Sequence, residues 1–219
     1  MTQKPQNKAS PDVWRTYILE TVKKQNVKFC DLMFSDINGT PKIITAHANR
    51  LDDILESGAW FDGSSIEGFG RIHESDRLLR PDVTTFAILP WSPPDRLTAR
   101  LICNAYMPDG TKLMADPRNI LIRCCRKAAD LGFTLKVGAE FEFYLLERSE
   151  LPKMKPHDHK GYFDYTPQSR AINVCQNTME ALGAFGVICE MHHHEVGYGQ
   201  HELDTRYAEA LKTADTILT

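Results

Sequence analysis

The segment FTLKVGAEFEFYLL, residues 133–146, constrains the chain most. Its odd positions are Leu135, Val137, Ala139, Phe141, Phe143 and Leu145, an unbroken apolar row at a period of two. That period predicts a β-strand with one face turned to a core. The other face then carries Glu140 and Glu142, flanked by Lys136, Gly138 and Tyr144. Two carboxylates on one face repel each other unless a cation neutralises them, one takes a proton, or water solvates both. A solvated sheet face and a cation site are both open on this segment alone.

A second cluster narrows the choice. HHHEVGYGQHEL, residues 192–203, supplies Glu195 and Glu202, with Gly197 and Gly199 allowing the backbone to bend between them. If 133–146 and 192–203 lie on neighbouring strands, four carboxylates meet. Such sets suit hard cations, Mg²⁺ or Mn²⁺, while His192, His193 and His194 keep Zn²⁺ open. His193 shares strand parity with Glu195. Glu190 has the opposite parity, so a bulge or a strand end must lie between Glu190 and Glu195 if both face one cavity. A third unusual segment, FDGSSIEGFGRIHESDRLLRPD at 61–82, has the glycine, serine and acidic content of a loop. Neither GxxxxGK[ST] nor GxGxxG occurs, so a nucleotide would have to bind through metals and scattered polar groups.

The chain has 219 residues, 26 basic and 29 acidic, for a net charge of −3, with 42% hydrophobic and 25% charged residues. That balance fits an ordinary globular protein and gives no basic surplus for nucleic acid. No apolar run approaches a membrane span, and the polar N-terminus has no secretory h-region. Six cysteines without a CxxC pair fit reduced thiols in a cytoplasmic protein.

Along the chain, Ser10-Pro11 reads as a helix N-cap followed by a first-turn proline, with Trp14, Tyr17, Ile18 and Val22 at helical spacing. Asn38-Gly39 between two apolar runs predicts a hairpin. LDDILESG predicts a short helix; FAILPW and TARLICNAYMPDG predict strands. Asp116-Pro117 opens a helix with Ile120, Leu121, Cys124 and Ala128 on one face and a stop at Gly132. A loop is expected at 147–168, a helix at 169–183, a strand at GVICEMHHHEV, and a last helix from near Asp204 that runs to Thr219 without a stop signal. The fold class expected is α+β, with a flexible tail at 1–12, a small domain at 13–112 and a second domain at 113–219 that is cut within an element.

Taken in order, WFDGSSIEGF with ESDRLLRPD, then AEFEFYLL, then HHHEVGYGQHEL resemble the motifs of type I glutamine synthetases, the bacterial and archaeal class. The resemblance implies an N-terminal β-grasp domain followed by the first part of an α/β catalytic domain. It implies ATP-dependent ligation of ammonia to glutamate through γ-glutamyl phosphate, with Mg²⁺ or Mn²⁺ bound, in glutamine biosynthesis and nitrogen metabolism. It implies Glu142, Glu195 and Glu202 as ligands of a first metal and Glu140 as one ligand of a second. Glu195 would also hold ammonium, and His193 would face the γ-phosphate. Tyr162 and Glu190 resemble nucleotide contacts. Asp62 and Ser65 resemble residues lent to a neighbouring identical subunit, Asp62 there binding and deprotonating ammonium, in rings of six that usually stack as dodecamers. The family more often has a small residue and Pro where this chain has Gly197-Tyr198. Its remaining second-metal ligands, glutamate loop and catalytic arginines lie further along than Thr219, so the 219-residue chain alone is expected to be inactive. A ligase joining glutamate to another amine, a non-catalytic truncated homologue that binds full-length subunits, and a Zn²⁺ hydrolase built on the histidine run are the other readings.

Overall fold

In the computed structural model, residues 4–71, 74–148, 154–165, 167 and 169–219 are described. Met1–Gln3 of the tail, Ile72 and His73 of the 61–82 segment, and residues 149–153, 166 and 168 of the 147–168 segment lie outside them. The chain folds as two units, Met1–Phe133 and Thr134–Thr219.

The first unit opens with helix α1, Pro11–Gln25. Proline sits where its missing N–H is no loss, and Asn26 closes the helix in the left-handed region with φ 57°. Its buried stripe is Trp14, Ile18 and Val22. Strands β1 (Phe29–Ser35) and β2 (Pro41–His47) form the antiparallel hairpin expected around Asn38-Gly39. Asp36 shapes the turn by accepting from the Asn38 and Thr40 N–H groups at 2.9 and 3.0 Å. Helix α2 (Leu51–Ser57) ends at Gly58, whose φ of 83° favours glycine.

Strands β3 (Ala59–Asp62), β4 (Asp76–Pro81), β5 (Ala87–Ile88) and β6 (Thr98–Tyr106) complete a sheet of order β2-β1-β6-β4-β3, with β5 also on β6. The β1–β6 pair is parallel and the rest are antiparallel. The expected FAILPW strand keeps only Ala87–Ile88, ahead of a turn in which the Ser92 N–H donates to Leu89. Ile18, Leu32, Phe34, Leu51, Leu79 and Leu101 lie in the buried core. Helix α3 (Pro117–Asp130) is capped by Asp116, which accepts from the Arg118 N–H at 2.9 Å. Its buried residues are Arg118 and Asn119, whereas Ile120 is exposed. Polar anchors decide this: Arg118 donates to Asn104 and Asp82, each at 2.8 Å, and Asn119 donates to the Ala105 carbonyl at 2.8 Å.

The second unit is a three-stranded antiparallel sheet of order β7-β9-β8. Its strands are β7 (Lys136–Tyr144), β8 (Cys189–His194) and β9 (Gln200–Glu209). Helix α4 (Arg170–Ala184), capped by Ser169, follows the loop, and α5 spans Ala210–Ile217. Two expectations are corrected. The last helix begins at Ala210, not near Asp204, because residues 200–209 pair with β7 and residues 201–205 also pair with β8. The apolar row of β7 is not buried: Leu135 is 44% and Phe141 46% exposed. Strand β7 is the sheet's edge, and no described element covers that row fully.

Candidate metal centre

Register does the assembly. Glu140 stands opposite Asp204 and Glu142 opposite Glu202 across β7 and β9; His193 stands opposite Glu202 across β8 and β9. Alternation puts all five side chains on one face. Glu195 joins them from the turn after β8. That turn is fixed by backbone bonds from Glu195 N–H to the Gln200 carbonyl at 2.8 Å and from Gln200 N–H to the Gly197 carbonyl at 3.0 Å. Gly199 has φ 69°, and a Cβ there would meet the Leu145 carbonyl at 2.8 Å, so this turn needs glycine.

His193 lies at the centre. Its Nδ1 is 3.4 Å from Glu195, and its Nε2 is 3.8 Å from Glu202 and 3.6 Å from Asp204. Two convergent triads result, His193–Glu195–Glu202 and Glu140–Glu202–Asp204, each with ligand atoms within 4.8 Å of one another. Glu202 belongs to both and is only 7% exposed. Burial, then Glu195 and Asp204 beside it, pushes its carboxyl up to about 7. Carboxylates opposed this closely are destabilising without a counter-charge. The oxygen-rich donors, with one imidazole among them, fit a hard divalent cation that also tolerates nitrogen.

The candidates from the sequence distribute unevenly. Glu195, Glu202 and His193 converge. Glu140 joins Glu202 in the second triad. Glu142 faces Glu202 but is held by the side-chain amide of Gln200 and belongs to neither triad. Glu190 sits where the β8–β9 register shifts, between Cys189 and Met191, and accepts from Arg206 at 2.8 Å. Tyr162 is half-exposed, stacks on Phe163 at 4.0 Å and meets the edge of His193 at 5.6 Å. Asp62 ends β3 in the first unit and accepts from the Ser64 N–H at 2.8 Å, which helps hold its carboxyl below the usual range. Ser65 is exposed on the turn that follows.

Asp204 was missed by sequence reasoning. Its signal was present: it keeps parity with Glu202, provided the strand runs on past Leu203. His157, Asp158 and His201 were missed as well. They form a third convergent group, on the opposite face of the sheet from Glu202.

Three strands that focus four carboxylates and an imidazole on one face form a set of groups able to hold a divalent cation. Comparison with known proteins agrees and is more specific. Residues 26–108 match the family "Glutamine synthetase, beta-Grasp domain" and residues 114–219 match "Glutamine synthetase, catalytic domain". Glutamine synthetase of Clostridium saccharobutylicum is 44% identical over 204 residues, covering 92% of this chain and 46% of that one. Glutamine synthetase of Thermus thermophilus is 45% identical over 208 residues, covering 92% and 47%. Among solved structures, Plasmodium falciparum glutamine synthetase superposes with a TM-score of 0.86 at 21% identity, over 99% of this chain and 48% of that one, which supports the fold. The chain belongs to the glutamine synthetase family. It spans a little under half the length of the relatives it matches. No described helix is long and apolar enough to cross a membrane.

Proposed function

We propose that this chain supplies the cation-binding strands of a glutamate–ammonia ligase, making glutamine from glutamate, ammonium and ATP. The observation that carries the reading is the meeting of His193, Glu195 and Glu202 with Glu140 and Asp204 on one sheet face. Mg²⁺ or Mn²⁺ would be held there by Glu195, Glu202 and His193, and a second ion by Glu140 and Asp204, with Glu142 opposite Glu202 on the neighbouring strand. Bound divalent cations supply charge neutralisation for phosphoryl transfer.

A free carboxylate does not react usefully with ammonia, so the γ-carboxylate is first phosphorylated by ATP; ammonia then displaces phosphate. In this reading Glu195 orients ammonium, and His193, between three carboxylates, sits toward the γ-phosphate. Tyr162 and Glu190 border the nucleotide. The exposed positions of Asp62 and Ser65 suit residues that complete a neighbouring identical subunit's site, in a hexameric ring or a pair of rings. We place the protein in the cytoplasm, in keeping with six free cysteines.

Calorimetric titration of the chain with Mn²⁺, and then with ADP in its presence, tests the reading. Mn²⁺ binding that is lost in Glu195→Gln, with ADP binding only after Mn²⁺, is expected. Equal Mn²⁺ affinity in wild type and variant would overturn it. Phosphate release from ATP and glutamate by the 219-residue chain alone is expected to be absent.

A further inference from the structure

The loop after β7 brings a second group of metal-ligating atoms onto the other face of the same sheet. His157 is fixed by its N–H to the Leu145 carbonyl at 3.1 Å. Its Nε2 lies 2.9 Å from Nε2 of His201, and the rings stack at 5.1 Å. Asp158 approaches the same point, with Oδ2 3.3 Å from His157 Nε2. The atoms of His157, Asp158 and His201 all lie within 4.8 Å of one another. Ligands on a tetrahedral zinc-class ion stand roughly 3.3 Å apart, given bonds of about 2.0–2.1 Å.

The two oxygens of Asp158 are treated very differently. Oδ1 accepts from Gly199 N–H at 3.1 Å and Lys160 N–H at 3.3 Å, and it lies 3.0 Å from His194 Nε2. Oδ2 is buried and accepts no hydrogen bond among the described residues. A buried carboxylate oxygen without a donor is costly, and an ion is one of the few things that explains it. His194 is itself fixed, because its Nδ1 lies 2.6 Å from the Glu195 carbonyl. It therefore aims Asp158 as an outer partner of the site. A hydrogen bond between His157 and His201 alone would leave Oδ2 without a donor.

We propose that His157 Nε2, His201 Nε2 and Asp158 Oδ2 bind a zinc-class transition-metal ion, at a site separate from the carboxylate centre. Two imidazoles and one carboxylate favour Zn²⁺ over Mg²⁺. The remaining position is a water drawn from the cavity of about 840 Å³ that His157 and Asp158 line with Lys160, Ser169 and Arg170. The ion ties residues 154–165 to the β8–β9 hairpin. One sheet would then hold a hard-cation centre on one face and a borderline-metal site on the other.

The test is Zn²⁺ affinity of the chelator-treated 219-residue chain, by competition with a chromophoric chelator under excess Mg²⁺. Wild type is expected to retain Zn²⁺. His157→Ala is expected to lose at least the tenfold to about a hundredfold that outer partners of metal sites typically control. His157→Cys is expected to bind Co²⁺ with a thiolate charge-transfer band. X-ray absorption of the zinc-loaded wild type, which depends on no variant's folding, is expected to show two imidazole ligands. Unchanged Zn²⁺ affinity in His157→Ala, no thiolate band in His157→Cys, or a zinc shell without imidazole would each overturn the proposal.

Discussion

Glu202→Gln separates the two roles of the carboxylate face, stability and binding. Glu202 shares ligand-range contacts with Glu140, Asp204 and Glu195. One like-charge pair at 4.8 Å costs about 0.9 kcal/mol in bulk water and about 3.5 kcal/mol at an effective dielectric of 20. Three such neighbours at the bulk-water figure give up to about 3 kcal/mol of strain at pH 8. Glutamine has the same shape without the charge. The metal-free variant should therefore melt higher than wild type, by roughly 2–4 °C per kcal/mol for a chain of this size. Wild type should gain about 2.7 kcal/mol from Mn²⁺ at a hundred times its dissociation constant. The variant should gain little. Differential scanning calorimetry at pH 8, with and without Mn²⁺, reads both effects. A metal-free variant less stable than wild type, or one with the full Mn²⁺ increment, would refute the reasoning.

Three further outcomes are expected. Arg118→Ala should cost about 3–5 kcal/mol in urea unfolding, because it leaves Asp82, 2.8 Å away, without its buried partner. Burial opposes ionisation of Asp82, but bonds from Thr84 and Arg118 outweigh it and hold its carboxyl below the usual value. That stability is present above the ordinary aspartate range and lost as pH falls through the lowered value; an acid titration of Asp82→Asn should show a flatter loss below about pH 4. Gly58→Ala should cost about 1–3 kcal/mol by thermal melting, since φ is 83° and the new Cβ would meet the Leu79 carbonyl at 2.6 Å.

Much of this was legible in the sequence where one local rule decided the structure. Asn38-Gly39 forced the hairpin, Ser10-Pro11 and Asp116-Pro117 opened their helices, and period two exposed β7. Glu195 and Glu202 could be brought together because Gly197 and Gly199 marked a turn between them. What stayed hidden depended on partners. Residues 204–209 carry helix-compatible types, yet pairing with β7 and β8 holds them in a strand, so Asp204 went unseen. The apolar row of β7 signalled burial, but covering it is a tertiary matter that no local pattern encodes. His157 and Asp158 sit in a loop placed by the bond from His157 N–H to the Leu145 carbonyl and by the bond from Gly199 N–H to the Asp158 carboxylate, so their approach to His201 had no local signal. In α3, Arg118 and Asn119 displaced the apolar face because buried acceptors on β6 required donors.

The central claim is that β7, β8 and β9 together build a divalent-cation centre of the glutamine synthetase kind. Anomalous diffraction at the manganese edge, from crystals of the chain grown with Mn²⁺, tests it most directly. The account predicts a peak bounded by His193, Glu195 and Glu202. Well-ordered density for those side chains with no peak between them, or manganese found only elsewhere, would contradict it.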